Sequence, residues 1–207
     1  MAQKILGILP KGLIFIISAP AGTGKTTLVH MLEAEFSCVV RSISCTTRKP
    51  RPGEVNDVDY HFLTEEEFEA KVRKGDFLEH AVVFGNHYGT CREDVIKEQE
   101  KGKHVILVID TQGAMQLRAS VPATFIFIKP PSMQALRERL AKRKTESLEI
   151  MERRLSIAKN EMAMSEHYDY CIINDDLQTA YEVLRSVLIA EERRVVCCDI
   201  SEMEKKW

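Results

Sequence analysis

Long apolar runs are missing from this chain of 207 residues: none approaches the ~20 that a membrane-spanning helix requires. The start lacks a basic segment leading into an apolar one, so no secretory signal is expected. Excess charge of either sign is missing too. The 29 Lys and Arg against 31 Asp and Glu leave a formal net charge of −2. That balance gives no general attraction for nucleic acid or a membrane surface; neither is expected as a partner, and any cationic site must be local. The six cysteines (Cys38, Cys45, Cys91, Cys171, Cys197 and Cys198) form no C-x-x-C pair and no metal-ligand spacing with the six histidines. Free thiols in a reducing cytoplasm are expected. No Ser/His/Asp grouping stands out, and His80 and His87, beside apolar strand residues, read as structural or surface groups. Repeats and low-complexity linkers are absent as well.

What is present begins with Ser18-Ala19-Pro20-Ala21-Gly22-Thr23-Gly24-Lys25-Thr26-Thr27, directly behind the apolar Leu13-Ile14-Phe15-Ile16-Ile17. A buried strand, a glycine-rich loop and a helix start in that order form the setting of a phosphate-binding P-loop. Gly22 and Gly24 let the backbone turn so that successive N–H groups face phosphate oxygens. The helix start adds its positive end, Lys25 reaches the β- and γ-phosphates of a nucleoside triphosphate, and Thr26 places a hydroxyl on Mg²⁺. Ala19 stands where the pattern G-x-x-x-x-G-K-[ST] has its first Gly.

Hydrophobic periodicity then predicts helices alternating with apolar strands. Strands are expected over 13–18, 39–43, 60–63, 77–84, 87–90, 105–110, 125–128 and 170–173, with a hairpin turn at Gly85-Asn86. Helices are expected over 25–36, from the Thr64/Glu67 capping box to Gly75, over 93–101, from Ser132 to about 144, from about 147 to 167, and behind Asp176. The fold class is therefore α/β, a parallel sheet covered by helices on both faces. The polar, proline-containing and hairpin-like stretch 44–88 breaks the rhythm and reads as an inserted lobe.

Three further groups have two readings each. Asp110 ends an apolar strand, where it either serves a metal or second substrate or caps the next helix. Arg48 and Arg51, stiffened by Pro50 and Pro52, make either a phosphate clamp or a solvated basic turn. Arg139 and Arg143 share a helix face and Arg154 follows on the next helix; these close over phosphates or are solvated charge. Arg137, Lys142 and Lys144 read as plain surface charge.

The chain resembles the guanylate kinase family from about residue 11 to 195. The resemblance rests on Ser44-Cys45-Thr46-Thr47-Arg48-Lys49-Pro50-Arg51-Pro52-Gly53-Glu54 with Asp59-Tyr60, then on Phe77-Leu78-Glu79-His80-Ala81 and Gly85-Asn86-His87-Tyr88-Gly89-Thr90. Ile109-Asp110-Thr111-Gln112-Gly113, Pro130-Pro131-Ser132 and Ile173-Asn174-Asp175-Asp176 follow in the family's order. It implies one domain with a P-loop NTPase-type core (about 11–43, 91–136 and 168–195), a mixed α+β GMP-binding lobe (about 44–90) and a helical lid (about 137–167). It also implies Mg²⁺-dependent, in-line phosphoryl transfer from ATP to GMP, and to dGMP, in purine metabolism, by a cytoplasmic monomer or weak homo-oligomer. Carried over by position, Arg48, Arg51, Tyr60 and Tyr88 hold the GMP phosphate, with Glu54 in the same loop. Ser44, Glu79, Thr90 and Asp110 surround the guanine. Residues 19–27 and Asn174 hold ATP, and Lys25, Arg48, Arg139, Arg143 and Arg154 face the transferring phosphoryl.

This chain departs from the family in several places. Val108 replaces the first acid of the family's frequent Asp-x-Asp, Ala19 and Cys45 replace a frequent Gly and Ser, and the turn at Lys144-Thr145 lacks a Gly. Two other classes remain at this point. One is a phosphopeptide-binding module of the same fold, which typically loses the P-loop and lid residues kept here. The other is a P-loop kinase with another acceptor, against which Glu79, Ser44 and Thr90 argue.

Overall fold

The computed structural model describes residues 4–142 and 148–197. In chain order the elements are β1 (Ile14–Ser18), α1 (Lys25–Glu35), β2 (Val39–Arg41), β3 (Cys45–Thr46), β4 (His61–Phe62), α2 (Glu65–Lys74), β5 (Phe77–Val83), β6 (Asn86–Cys91) and α3 (Arg92–Glu100). The second half adds β7 (His104–Val108), α4 (Thr111–Leu117), β8 (Thr124–Lys129), α5 (Met133–Lys142), α6 (Leu148–Ala163), β9 (Tyr170–Ile173) and α7 (Leu177–Glu192).

Five strands form a parallel sheet in the order β2-β7-β1-β8-β9, with β1 central. Every residue of β1 is buried because helices cover both faces. Its side chains alternate between two cores. Phe15 and Ile17 pack with Leu28 and Leu32 of α1 and Leu184 and Leu188 of α7. Ile14 and Ile16 pack with Val95 of α3 and Ala114 and Leu117 of α4. Each such fully buried Leu, Ile or Phe contributes about 1.5–3 kcal/mol through removal from water. The carboxyl ends of β1, β7, β8 and β9 thus lie along one edge, where open parallel sheets gather their ligands.

A second sheet, β4-β3-β6-β5, is mostly antiparallel and has its own small core of Cys45, Phe68, Phe77 and Cys91. The Cys45 and Cys91 sulfurs approach to 3.5 Å as thiols. Its helix α2 is bounded as expected: Thr64 Oγ1 accepts from Glu67 N–H, Glu67 reaches back, and Gly75 closes the helix at φ 72°. Leu136 and Leu140 of α5 pack on Leu155 and Ala158 of α6.

Four expectations need correction. The hairpin turns on Phe84-Gly85, one residue earlier than Gly85-Asn86, with Val83 and Asn86 paired. Residues 111–117, read only as a motif, form α4. The expected strand 39–43 stops at Arg41. The α-helix of 147–167 passes at Ala163 into a 3₁₀ turn over Met164–His167. The junction near Lys144, Cys198 and the tail beyond 197 lie outside the described residues. Among those described, no helix is long and apolar enough to cross a membrane.

Candidate functional site

The loop behind β1 is built on two left-handed glycines, Gly22 at φ 91° and Gly24 at φ 87°. A Cβ on Gly22 would sit 2.9 Å from Leu140 Cδ2, and one on Gly24 2.6 Å from Asn174 Nδ2. Glycine is needed at both positions on conformational and steric grounds. Ala19 is buried, and its φ is not among the positive values, so the pattern's missing glycine costs nothing here. Asn174, also buried, donates Nδ2–H to Thr23 O at 2.6 Å, while Thr23 Oγ1 donates to Pro20 O at 2.8 Å. Asn174 therefore braces the loop from the end of β9. Thr26 and Thr27 stand exposed on the first turn of α1.

Lys25 Nζ donates to Ala19 O at 3.3 Å, folding the ammonium back over the loop. Burial pulls its pKa below the ordinary lysine range, opposed by Glu161 and Asp110. Glu161, on α6, is a functional candidate that sequence reasoning missed. Burial lifts its carboxyl to about 7 against the pull of Lys25, and the charge on Asp110 adds to the rise. Nothing in its helical surroundings distinguished it from a solvated surface acid.

Of its two readings, Asp110 shows the helix cap. Its Oδ1 accepts Gly113 N–H at 2.8 Å as the N-cap of α4, and its Oδ2 accepts Gln112 Nε2–H at 3.2 Å. The same carboxylate acts electrostatically on Lys25, on Glu161 and on Glu79.

Glu79, on β5, is 5% exposed. Its Oε1 accepts a hydrogen bond from Thr90 Oγ1 on β6 at 2.6 Å. Burial raises its pKa to about 7; the Thr90 bond opposes the rise and Asp110 adds to it. Gly113 completes this pocket: a Cβ there would lie 2.3 Å from Glu79 Oε2. The close approach explains a glycine inside α4, a role that the motif alone did not disclose. Ser44, half-buried, precedes β3 and its carbonyl accepts His61 N–H at 2.9 Å.

Arg48 is held from three sides. Its Nε donates to Tyr88 OH at 3.2 Å, its Nη2 pairs with Glu54 at 2.9 Å, and the guanidinium lies 5.3 Å from the Tyr60 ring centre. Glu54 also accepts Arg51 N–H at 2.8 Å, so one carboxylate orders both arginine positions. The Arg51 side chain remains exposed. Tyr60 and Tyr88 meet edge to face with centroids 6.0 Å apart. Arg41 on β2, which sequence reasoning missed, ties the loop down by donating to Val58 O at 3.0 Å and Asp59 O at 3.4 Å.

Of the cations on the two helices after β8, Arg139 donates to Asp175 O at 3.3 Å, beside the end of β9. Arg154 is half-buried, its guanidinium 5.6 Å from the Phe84 ring. Arg137 pairs with Glu152 at 2.7 Å, as surface charge does. Arg143 lies outside the described residues. Val108 packs against the α1/α7 core, so the position read as a missing acid has an apolar use here. A groove of about 690 Å³ opens elsewhere, beside the first residues of β8 and β9. Its charges are already paired, Arg118 with Asp169 and Glu191 with Thr124 and Tyr170, so it offers no unmet group for a ligand.

Residues 11–191 match the family model described as guanylate kinase. A guanylate kinase of Protochlamydia amoebophila (strain UWE25) is 60% identical over 185 residues, covering 89% of this chain and 94% of that protein. One from Chlamydia muridarum is 50% identical, covering 90% of this chain and 91% of that one. Among solved structures, guanylate kinase from Anaplasma phagocytophilum superposes with a TM-score of 0.75 at 35% identity, covering 89% of this chain and 88% of that chain.

Proposed function

The chain belongs to the guanylate kinase family and phosphorylates GMP to GDP with ATP; we propose here which of its residues carry the reaction and how. The observation that carries the reading is the buried Glu79, held by Thr90 at 2.6 Å against Gly113, whose N–H Asp110 accepts; the same Asp110 acts electrostatically on Lys25 of the phosphate loop. A donor triphosphate at the loop and an acceptor base at Glu79 would then share a single line of charge.

On the acceptor side, the ionised Glu79 carboxylate accepts from guanine N1–H and its 2-amino group. Adenine has neither donor and leaves a buried acid unpaired. Thr90 orients that carboxylate, and Ser44 and Asp110 border the base. Arg48 and Arg51 hold the GMP phosphate, with Tyr60 and Tyr88 beside it; Glu54 positions both arginines. dGMP, which keeps every group read by Glu79, is accepted as well.

On the donor side, the N–H groups of residues 19–24 and the first turn of α1 cradle the phosphates of ATP. Asn174 keeps that loop shaped and lies by the adenine. Lys25, with Arg139, Arg143 and Arg154, neutralises the charge of the phosphoryl in flight. Positioning and charge neutralisation carry most of such a transfer, and no covalent intermediate on the protein is needed.

The family's need for a divalent metal is read here as Mg²⁺. Among the described residues no cluster of three or more His, Cys, Asp or Glu makes a cage of its own. The exposed Thr26 hydroxyl beside Lys25 instead fits an ion that arrives on the ATP phosphates. The ion supplies charge neutralisation there; Thr26 would hold it.

The same reading divides the chain into a core (about 11–43, 91–136 and 168–195), a GMP lobe (about 44–90) and a lid (about 137–167). It describes a cytoplasmic monomer or weak homo-oligomer. Purified protein assayed for ADP with ATP and Mg²⁺ against GMP, AMP, CMP and UMP tests the acceptor pocket. Turnover confined to GMP is the expected result; comparable turnover with AMP would overturn the Glu79 assignment.

A further inference from the structure

We propose that Phe84, at the tip of the β5–β6 hairpin, is a positioning residue that latches the lid helix α6 and aims Arg154 at the transferring phosphoryl. The inference rests on the reading of Arg154 as a lid arginine. Phe84 and Gly85 form the two-residue turn, with φ of 50° and 80°. Positive φ at both central residues is the type I′ geometry, which prefers Asn or Gly at the first position. A bulky side chain there is a genuine outlier. Among the described residues Asp57 is the other non-glycine with positive φ, and a short acid tolerates that region far better.

Phe84 is 46% exposed, so burial in the hairpin's own core does not explain the choice of Phe. Its partners come from the other lobe. The Arg154 guanidinium lies 5.6 Å from the ring centre and that of Arg153 5.8 Å. Both fall within the range of cation–π attraction.

The geometry joins two parts of the site. Glu79 and Phe84 ride on one hairpin, paired without a break from Glu79–Thr90 to Val83–Asn86. Arg154 and Glu161 lie seven residues apart, on one face of α6, and Glu161 acts on Lys25 at the phosphate loop. A hairpin drawn in by guanine at Glu79 therefore carries its tip against the helix whose Glu161 acts on Lys25. The latch ties acceptor binding to placement of the arginine.

The test is the single-turnover rate of GDP formation, with GMP affinity and thermal midpoint measured alongside. Phe84→Asn supplies the preferred Asn-Gly turn, so its midpoint should hold or rise. Its transfer rate should nevertheless fall roughly fivefold, with GMP affinity unchanged. Phe84→Tyr should restore the rate and Phe84→Leu should not. In an Arg154→Ala background, Phe84→Asn should cost nothing further. A wild-type rate in Phe84→Asn beside a slow Arg154→Ala overturns the latch and leaves the lid reading standing. A wild-type rate in Arg154→Ala overturns the lid reading and the latch together. Additive losses in the double variant, or a lower melting point that accounts for the lower rate, also overturn the latch.

Discussion

At Glu79 the proposed reading of guanine sets two demands: a carboxylate that discriminates between bases is buried, and one that accepts two hydrogen bonds is ionised. Burial raises its pKa from 4.5 to about 7. Without GMP, the folded protein holds that proton between 4.5 and 7 while the unfolded chain has lost it. Glu79 therefore contributes progressively less stability as pH rises through that window. For GMP the sign is opposite, because only the ionised form accepts from N1–H. The KM for GMP is expected to climb roughly tenfold per pH unit below 7, and kcat/KM profiles check it. The GMP phosphate itself titrates near ~6, so Glu79→Gln, which lacks the ionisation, isolates the residue's share. Gly113 carries a second expectation at this scale. In Gly113→Ala the new methyl would meet Glu79 Oε2 at 2.3 Å and push the carboxylate out of line. The KM for GMP should rise about tenfold with the KM for ATP unchanged, while the thermal midpoint changes little, because the end of a flexible side chain is what gives and Ala favours the helix interior.

Among the elements, β7, α7 and the N-terminal segment are joined by His104 and Glu192, both fully buried. Leu13 N–H donates to His104 Nδ1 at 3.1 Å, so the ring proton sits on Nε2 and is donated to Glu192 Oε1 at 2.9 Å. Glu192 also accepts the N–H groups of Gly7 and Ile8 at 2.9 Å. Burial lowers the His104 pKa despite the acid beside it. The neutral ring's contribution is thus complete above the unfolded value, about 6.5, and is lost as pH falls from there through the folded value. Melting temperatures between pH 7.5 and 5.5 should drop more in the wild type than in His104→Gln; equal drops would contradict the clasp. The sequence disclosed none of this, since a lone histidine at a strand start carries no partner information. It disclosed β1, β7, β8 and β9 well, because four or more consecutive apolar residues leave few alternatives. The α2 boundaries were equally legible, since Thr64, Glu67 and Gly75 each act locally. β3 has two residues and α4 seven with a glycine inside, too short for any period to show. The hairpin turn was misplaced by one residue because Gly85-Asn86 has better turn chemistry than Phe84-Gly85, and a contact to α6 is invisible in the local sequence.

Across the whole molecule, the proposed site runs from the phosphate loop to the second sheet, with Asp110 acting electrostatically on Lys25 and on Glu79 and α6 carrying Arg154 beside the hairpin tip. The phosphate loop was readable from strand, glycines and lysine in a row, and Arg48, Glu54 and Tyr60 came from one contiguous motif. Glu161, Arg41 and the steric part of Gly113 were not readable, because each acts on a residue remote in the chain and has no spacing of its own. The central claim is that Glu79 reads guanine while a separate loop holds ATP. The most direct test is the steady-state comparison of Glu79→Gln with the wild type at pH 8 for both substrates. Loss of one charge-assisted acceptor should raise the KM for GMP roughly 30-fold and leave the KM for ATP within about twofold. Equal losses for GMP and ATP, or an unchanged KM for GMP, would contradict it.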